Sequence, residues 1–135
     1  MKMKKSHFVF LLTVVIINVS FSQTREEILD GYIKAFNDRD IEKYLEPLHD
    51  SVTLVIFPGN VLNKGKEEVK STYAPAFKSQ NLGGQIKIMG RKDFGELSIQ
   101  EQSLERLNSP PVINYVLYRF SNNRIIEIAY LPKNY

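Results

Sequence analysis

The hydrophobic period of this chain changes once, near residue 84, and that change limits what it can fold into. Before it, apolar residues mostly recur at three- and four-residue spacing; after it, they alternate with polar ones. Three-to-four spacing lines one face of a helix, and alternation lines one face of a strand. One short apolar run, Val52 to Phe57, interrupts the helical part and reads as a buried strand. The predicted order is helix, helix, strand, helix, then four antiparallel strands in a meander. Helices segregated on one face of an antiparallel sheet make an α+β domain. Strong curvature of that sheet would turn it into a cone with a pocket inside.

The element boundaries carry their own chemistry. Thr24-Arg25-Glu26-Glu27 is a capping box that opens a helix whose buried face holds Ile28, Leu29, Tyr32, Ile33 and Phe36. Asn37-Asp38 ends it, and Asp40 caps a short second helix that buries Ile41, Tyr44, Leu45 and Leu48, with Pro47 breaking it. Pro58-Gly59-Asn60 is a turn. Gly65-Lys66-Glu67-Glu68 opens the third helix, with Val69, Tyr73, Ala76 and Phe77 on its apolar face. Pro75 is expected to kink or loosen its last turns, because its nitrogen has no proton to donate to residue 71. Ile86 and Ile88, then Leu97 and Ile99, mark two strands; Asn108-Ser109-Pro110-Pro111 turns the chain into Val112–Phe120; and Ser121-Asn122-Asn123-Arg124 forms the hairpin into Ile125–Leu131.

Ahead of the capping box stands a segment with the organisation of an export signal. Lys2, Lys4 and Lys5 are basic, Phe8 to Val19 is an apolar run broken only by Thr13 and Asn18, and Ser20 and Ser22 offer the small residues a signal peptidase accepts. Residues 1–22 are therefore expected to be a signal peptide, with Gln23 the first residue of an exported, periplasmic or secreted domain over 23–135. The apolar run is short for a bilayer span, so no membrane attachment is expected after cleavage. Removing Lys2, Lys4 and Lys5 from the 18 Lys+Arg leaves a count that balances the 15 Asp+Glu. A near-neutral domain lacks the basic excess that nucleic-acid binding needs. There is no cysteine, so an apolar core must supply the stability that disulfides give many exported domains.

The motifs in order resemble the nuclear transport factor 2-like superfamily, which includes ketosteroid isomerase and the SnoaL-like polyketide cyclases. Residues 31–40, GYIKAFNDRD, are similar to that family's first helix and its break; 48–54, LHDSVTL, to the entry into the first strand; 65–69, GKEEV, to the start of the third helix; and Tyr118-Arg119-Phe120 through Arg124-Ile125-Ile126 to the closing hairpin. The resemblance runs from about Thr24 to Leu131. It implies three N-terminal helices packed on a cone-shaped curved antiparallel sheet, an apolar pocket, and often a dimer. It implies no single activity, since that fold hosts isomerases, cyclases, dehydratases, hydrolases and plain binders.

Carried over from ketosteroid isomerase, the oxyanion tyrosine falls on Tyr32. The general base falls on Ile56 or Phe57 and the protonated second donor on Val116, and none of these can move a proton. Steroid isomerisation, which needs a base within hydrogen-bond reach, is therefore not expected. Glu101 is the other candidate. One register of the hairpin through Asn108-Ser109 sets it opposite Val116, inside the cone, where burial would raise its pKa; a slip of one residue turns it outward. His49 is read as structural or solvated, because a lone histidine makes no multi-histidine metal site. No phosphate loop, nucleophile elbow or zinc motif occurs, so no cofactor or metal is expected.

The expected pocket lining is Tyr32, Phe36, Phe57, Tyr73, Phe77, Val116 and Tyr118. The reading favoured is an exported pocket protein that binds a small, largely apolar molecule or serves as an interaction module. The alternative is a cyclase, dehydratase or isomerase using Tyr32 and Glu101. A regular closing hairpin would pair Tyr118 with Glu127 and Val116 with Ala129. Its outer face would then carry Tyr115, Leu117, Arg119, Ile126, Ile128 and Tyr130, an apolar patch expected to join two copies as a homodimer.

Overall fold

The structure is a computed structural model and describes residues 22–79 and 83–133. The expected signal sequence thus lies, apart from Ser22, outside the described residues, as do Asn134 and Tyr135. Three helices, α1 (Arg25–Asp38), α2 (Ile41–Leu45) and α3 (Lys66–Lys78), pack on a six-stranded sheet. Its strands are β1 (Leu48–Ile56), β2 (Asn60–Lys64), β3 (Gln85–Phe94), β4 (Leu97–Glu105), β5 (Val112–Ser121) and β6 (Arg124–Pro132), in the order β2-β1-β6-β5-β4-β3. The sheet is curved and unclosed, and the class is α+β.

Two elements differ from expectation. Asn60–Lys64 forms β2, an edge strand paired to β1, and Leu48 opens β1 instead of closing α2. The β1–β6 pair is parallel, so the sheet is antiparallel everywhere else. Pro75 leaves α3 continuous to Lys78. It sits on the exposed side of the helix, where water can take the carbonyl that its missing N–H leaves over, while Phe77 on the opposite side is buried.

The helices are placed by polar contacts at their ends. The Thr24 hydroxyl accepts from the Glu27 N–H at 3.2 Å, and the Glu27 carboxylate accepts from the Thr24 N–H at 3.1 Å. At the other end, the Asn37 side chain accepts from the Ile86 N–H at 2.7 Å and donates to the Ile86 carbonyl at 2.9 Å, which occupies free backbone groups on the β3 edge. Arg39, in the left-handed conformation with φ 60°, donates to the Gly84 carbonyl at 2.7 Å and stacks over Phe36. Gly84 itself has φ 113°, and a Cβ there would stand 2.2 Å from the Glu105 carbonyl oxygen, so only glycine fits. The core between helices and sheet joins Leu29, Tyr32 and Tyr44 to Leu48, Leu54, Val116, Phe120 and Ile128.

The closing hairpin turns at Asn122 and Asn123, both at positive φ, and Phe120 pairs with Ile125 as expected. Ile126 is then bulged: Arg119 pairs with Glu127, Tyr118 with Ile128, and Val116 with Tyr130. The expected pairs Tyr118–Glu127 and Val116–Ala129 do not form. Ile128 and Tyr130 therefore belong to the inner face, and the outer face carries Tyr115, Leu117 and Arg119 beside Glu127, Ala129 and Leu131. An Arg119–Glu127 ion pair at 3.5 Å crosses that face, so the apolar patch expected for a homodimer loses two of its members and gains charge.

Candidate functional site

The three helices and four strands of the sheet converge on one cavity of about 200 Å³ beneath the helices. Helical spacing on α1 brings Tyr32, Ile33 and Phe36 to it, α2 supplies Tyr44 and α3 supplies Tyr73. From the sheet come Ile86, Gln102, Leu104, Asn114, Tyr118 and Tyr130. Cross-strand partners share a face, and the ladder sets Gln102 opposite Asn114, Val116 opposite Tyr130, and Ser98 opposite Tyr118.

Five phenols dominate this wall. The Tyr32 hydroxyl donates to the Tyr44 hydroxyl at 2.6 Å, and their rings stack with centroids 4.5 Å apart. Tyr118 meets Tyr32 edge-on at 6.0 Å, and Tyr73 lies against Tyr44 at 5.1 Å. The Tyr118 hydroxyl is 2.8 Å from the Gln102 amide. Burial raises the pKa of Tyr32, Tyr44, Tyr118 and Tyr130 above the ordinary phenol value, with neighbouring phenols adding to the effect at each. These hydroxyls stay protonated at neutral pH. They are hydrogen-bonding groups, not bases.

Among the described residues, no carboxylate, histidine, lysine or arginine lines the cavity. A wider groove of about 400 Å³ lies outside it, between the start of α1, the end of α2 and the Asn122-Asn123 turn, with Tyr32 common to both. That groove is open and lined by charges of both signs, among them Glu27, Lys43, Glu46 and Arg124, and it lacks the convergent walls of the tyrosine cavity. Among the described residues, no three His, Cys, Asp or Glu side chains cluster as metal ligands, and no helix is long and apolar enough to cross a membrane.

Of the residues anticipated from sequence, Tyr32, Phe36, Tyr73 and Tyr118 line the cavity. Phe77 is buried one layer behind, against Phe36, Tyr44 and Tyr73. Val116 is buried on the inner face between Gln100 and Tyr130 without reaching the cavity. Phe57 is 56% exposed, because β1 ends at Ile56 and carries it into the turn toward β2. Glu101 points outward: the β4–β5 register sets Gln100, not Glu101, opposite Val116, and Glu101 pairs with Tyr115 and approaches Lys133 at 3.9 Å. His49 accepts from the Ser51 N–H through Nδ1 at 3.0 Å, a local backbone contact.

Ile33, Tyr44, Ile86, Gln102, Leu104, Asn114 and Tyr130 are the lining residues that sequence reasoning left out of the pocket. For Gln102 the misleading signal was alternation itself. Leu97 and Ile99 are the apolar members of the first half of β4, yet the register aims Ser98, Gln100 and Gln102 inward, where all three are buried. A strand that turns its polar side to the core breaks the usual pattern, and such breaks concentrate at functional sites.

No protein-family model and no curated protein matches the chain. Solved structures do match it. A cystatin-fold protein from Novosphingobium aromaticivorans superposes with a TM-score of 0.71 at 21% identity, over 81% of this chain and 98% of that one. An NTF2-like protein from Cytophaga hutchinsonii gives 0.67 at 13% identity, over 82% and 91%. TerC, crystallised with polyporic acid, gives 0.63 at 16% identity, over 81% and 91%. At these identities the likeness establishes the fold, which is NTF2-like, as the ordered motifs of the sequence implied.

Proposed function

We propose that this domain is a binding protein for a small, neutral, ring-sized molecule, held in the tyrosine cavity by aromatic packing and a few hydrogen bonds. The observation that carries the reading is the cavity wall: among the described residues, five phenols and two amides amid apolar side chains, with no carboxylate, histidine, lysine or arginine. Apolar walls with a few placed polar groups are the composition of a small-molecule site. The volume narrows the ligand. An engineered cavity of about 150 Å³ takes benzene, whereas drug-sized ligands need about 300 Å³ or more. About 200 Å³ suits one ring with a substituent or two and is too small for a steroid.

Acid–base turnover would need a carboxylate in reach of Tyr32, and Glu101, the candidate for it, stands on the other side of the sheet. TerC offers a precedent for a protein of this fold in complex with a small organic molecule. The export expected from residues 1–22 completes the proposal: a pocket protein working outside the cytoplasm.

The test is a heteronuclear NMR titration of the purified protein with phenol, cyclohexanol and cyclohexanone. Ring-sized ligands should shift the signals of Tyr32, Gln102, Asn114 and Tyr130 together, with saturation. Absence of saturable shifts at these residues for all three compounds refutes the reading.

A further inference from the structure

The inner faces of β3 and β4 carry a row of hydrogen bonds that starts on a charge and ends in the cavity. Arg91 lies opposite Gln100 in the ladder and pairs with Glu26 at 3.2 Å and Asp30 at 2.7 Å on α1. A guanidinium can only donate. The Gln100 amide is satisfied with its oxygen toward Arg91, accepting from Nη2 at 3.0 Å and Nε at 3.3 Å; partners, not shape, decide an amide's orientation. Its NH₂ then faces the Gln102 amide at 2.8 Å. Two NH₂ groups cannot bond to each other, so Gln102 must offer its oxygen at that point. The same Gln102 atom lies 2.8 Å from the Tyr118 hydroxyl. Both amides turn over together: Gln102 would otherwise donate from Nε2 to Gln100 and to Tyr118 at 2.8 Å each, whereas with its oxygen there it accepts from both, and Tyr118 gives its one proton to Gln102 and keeps its lone pairs for the cavity it lines.

We propose that Arg91, acting through Gln100 and Gln102, fixes the hydrogen-bond polarity of the cavity, so that Tyr118 accepts from the ligand and the site selects a ring bearing a hydroxyl or N–H over one bearing only a carbonyl. The inference rests on the binding function proposed above and adds the chemical class of the ligand. Arg91 is a positioning residue in this scheme, and it touches no ligand. A buried polar group left without its partner discriminates between ligands more sharply than apolar packing does, which is why one fixed proton can set a preference.

Cyclohexanol and cyclohexanone are close in size and differ in the proton, so the ratio of their dissociation constants in the NMR titration reads the polarity. The wild-type protein should favour cyclohexanol about five-fold or more, the worth of one net hydrogen bond. Tyr118→Phe should abolish the preference. Gln100→Glu is the decisive variant. The new carboxylate keeps its bond from Arg91 but cannot donate, so Gln102 turns its NH₂ to it and to Tyr118, and the Tyr118 proton swings into the cavity. Preference for cyclohexanol should then be lost, because its hydroxyl and the cyclohexanone carbonyl can both accept that proton. Arg91→Met, which also cuts the tie to α1, should remove the preference, but the outcome is judged on Gln100→Glu, which retains that tie. Failure of the wild-type protein to favour cyclohexanol, or an unchanged preference in Gln100→Glu, overturns the polarity and leaves the binding function standing if saturable shifts persist. Loss of all saturable shifts in the wild-type protein overturns both.

Discussion

Alkaline pH should unfold this domain abruptly. Tyr32, Tyr44, Tyr118 and Tyr130 all have pKa values raised by burial in the folded state, against an ordinary value of 10.0 in the unfolded chain. Below pH 10 both states hold these protons, and the contribution to stability is intact. Above it the unfolded chain releases four protons that the folded one keeps. Each proton released costs about 1.4 kcal/mol of stability per pH unit, so four cost about 5 kcal/mol per unit. Domains of this size have about 5–15 kcal/mol in total, so about one to three pH units above 10 exhaust the margin. Tyrosinate absorbance near 295 nm and far-UV circular dichroism, followed together from pH 8 to 12.5, measure the effect. The tyrosinate signal of the buried set should rise in one steep step that coincides with loss of secondary structure. Smooth titration of all the tyrosines around pH 10, with the dichroism unchanged, would refute the buried network.

The Tyr32–Tyr44 bond should show up as coupling: Tyr32→Phe and Tyr44→Phe should each cost about 1–2 kcal/mol in denaturant unfolding, and the double variant less than their sum by about 1 kcal/mol, with strict additivity counting against the 2.6 Å contact. Intact mass of exported material should correspond to a chain beginning at Gln23, and a mass that includes residues 1–22 would refute the cleavage. The outer face retains Ile99, Tyr115, Leu117 and Leu131 as neighbours across three strands, and we expect it to seat a second copy. Light scattering at micromolar concentration should then give a dimer that Leu117→Glu dissociates, and a soluble wild-type monomer would refute it.

Much of the scaffold was readable because local chemistry dictates it. The Thr24 capping box, the buried stripe of α1 and the Asn122-Asn123 turn depend on residues three or four apart, and each forms as the sequence implies. The site was harder, because it is assembled by register. Tyr32 and Tyr118, expected in a pocket from the resemblance to a known fold, both line the cavity. The side on which Glu101 falls depends on the β4–β5 register, which the sequence leaves open, and Gln102 goes unnoticed because Leu97 and Ile99 look like core residues and face outward instead. Phe57 was lost to a turn one residue beyond a strand end. β2 was missed because Asn60, Asn63 and Lys64 give a five-residue edge strand little apolar signature.

The bulge at Ile126 means that β6 is one residue longer than its ladder needs. That slack separates the length of the strand from the side to which its residues turn. Loss of Ile126 would leave a plain ladder with Ile128 and Tyr130 still inward, at the expense of local twist. Ironing the bulge out while keeping every residue would do the reverse, exchanging Ile128 and Tyr130 for Glu127 and Ala129 on the inner face. The same composition would then put a carboxylate beside Tyr118. A change in spacing, with no substitution anywhere, is thus enough to move this cavity between a neutral binding wall and one that can handle protons.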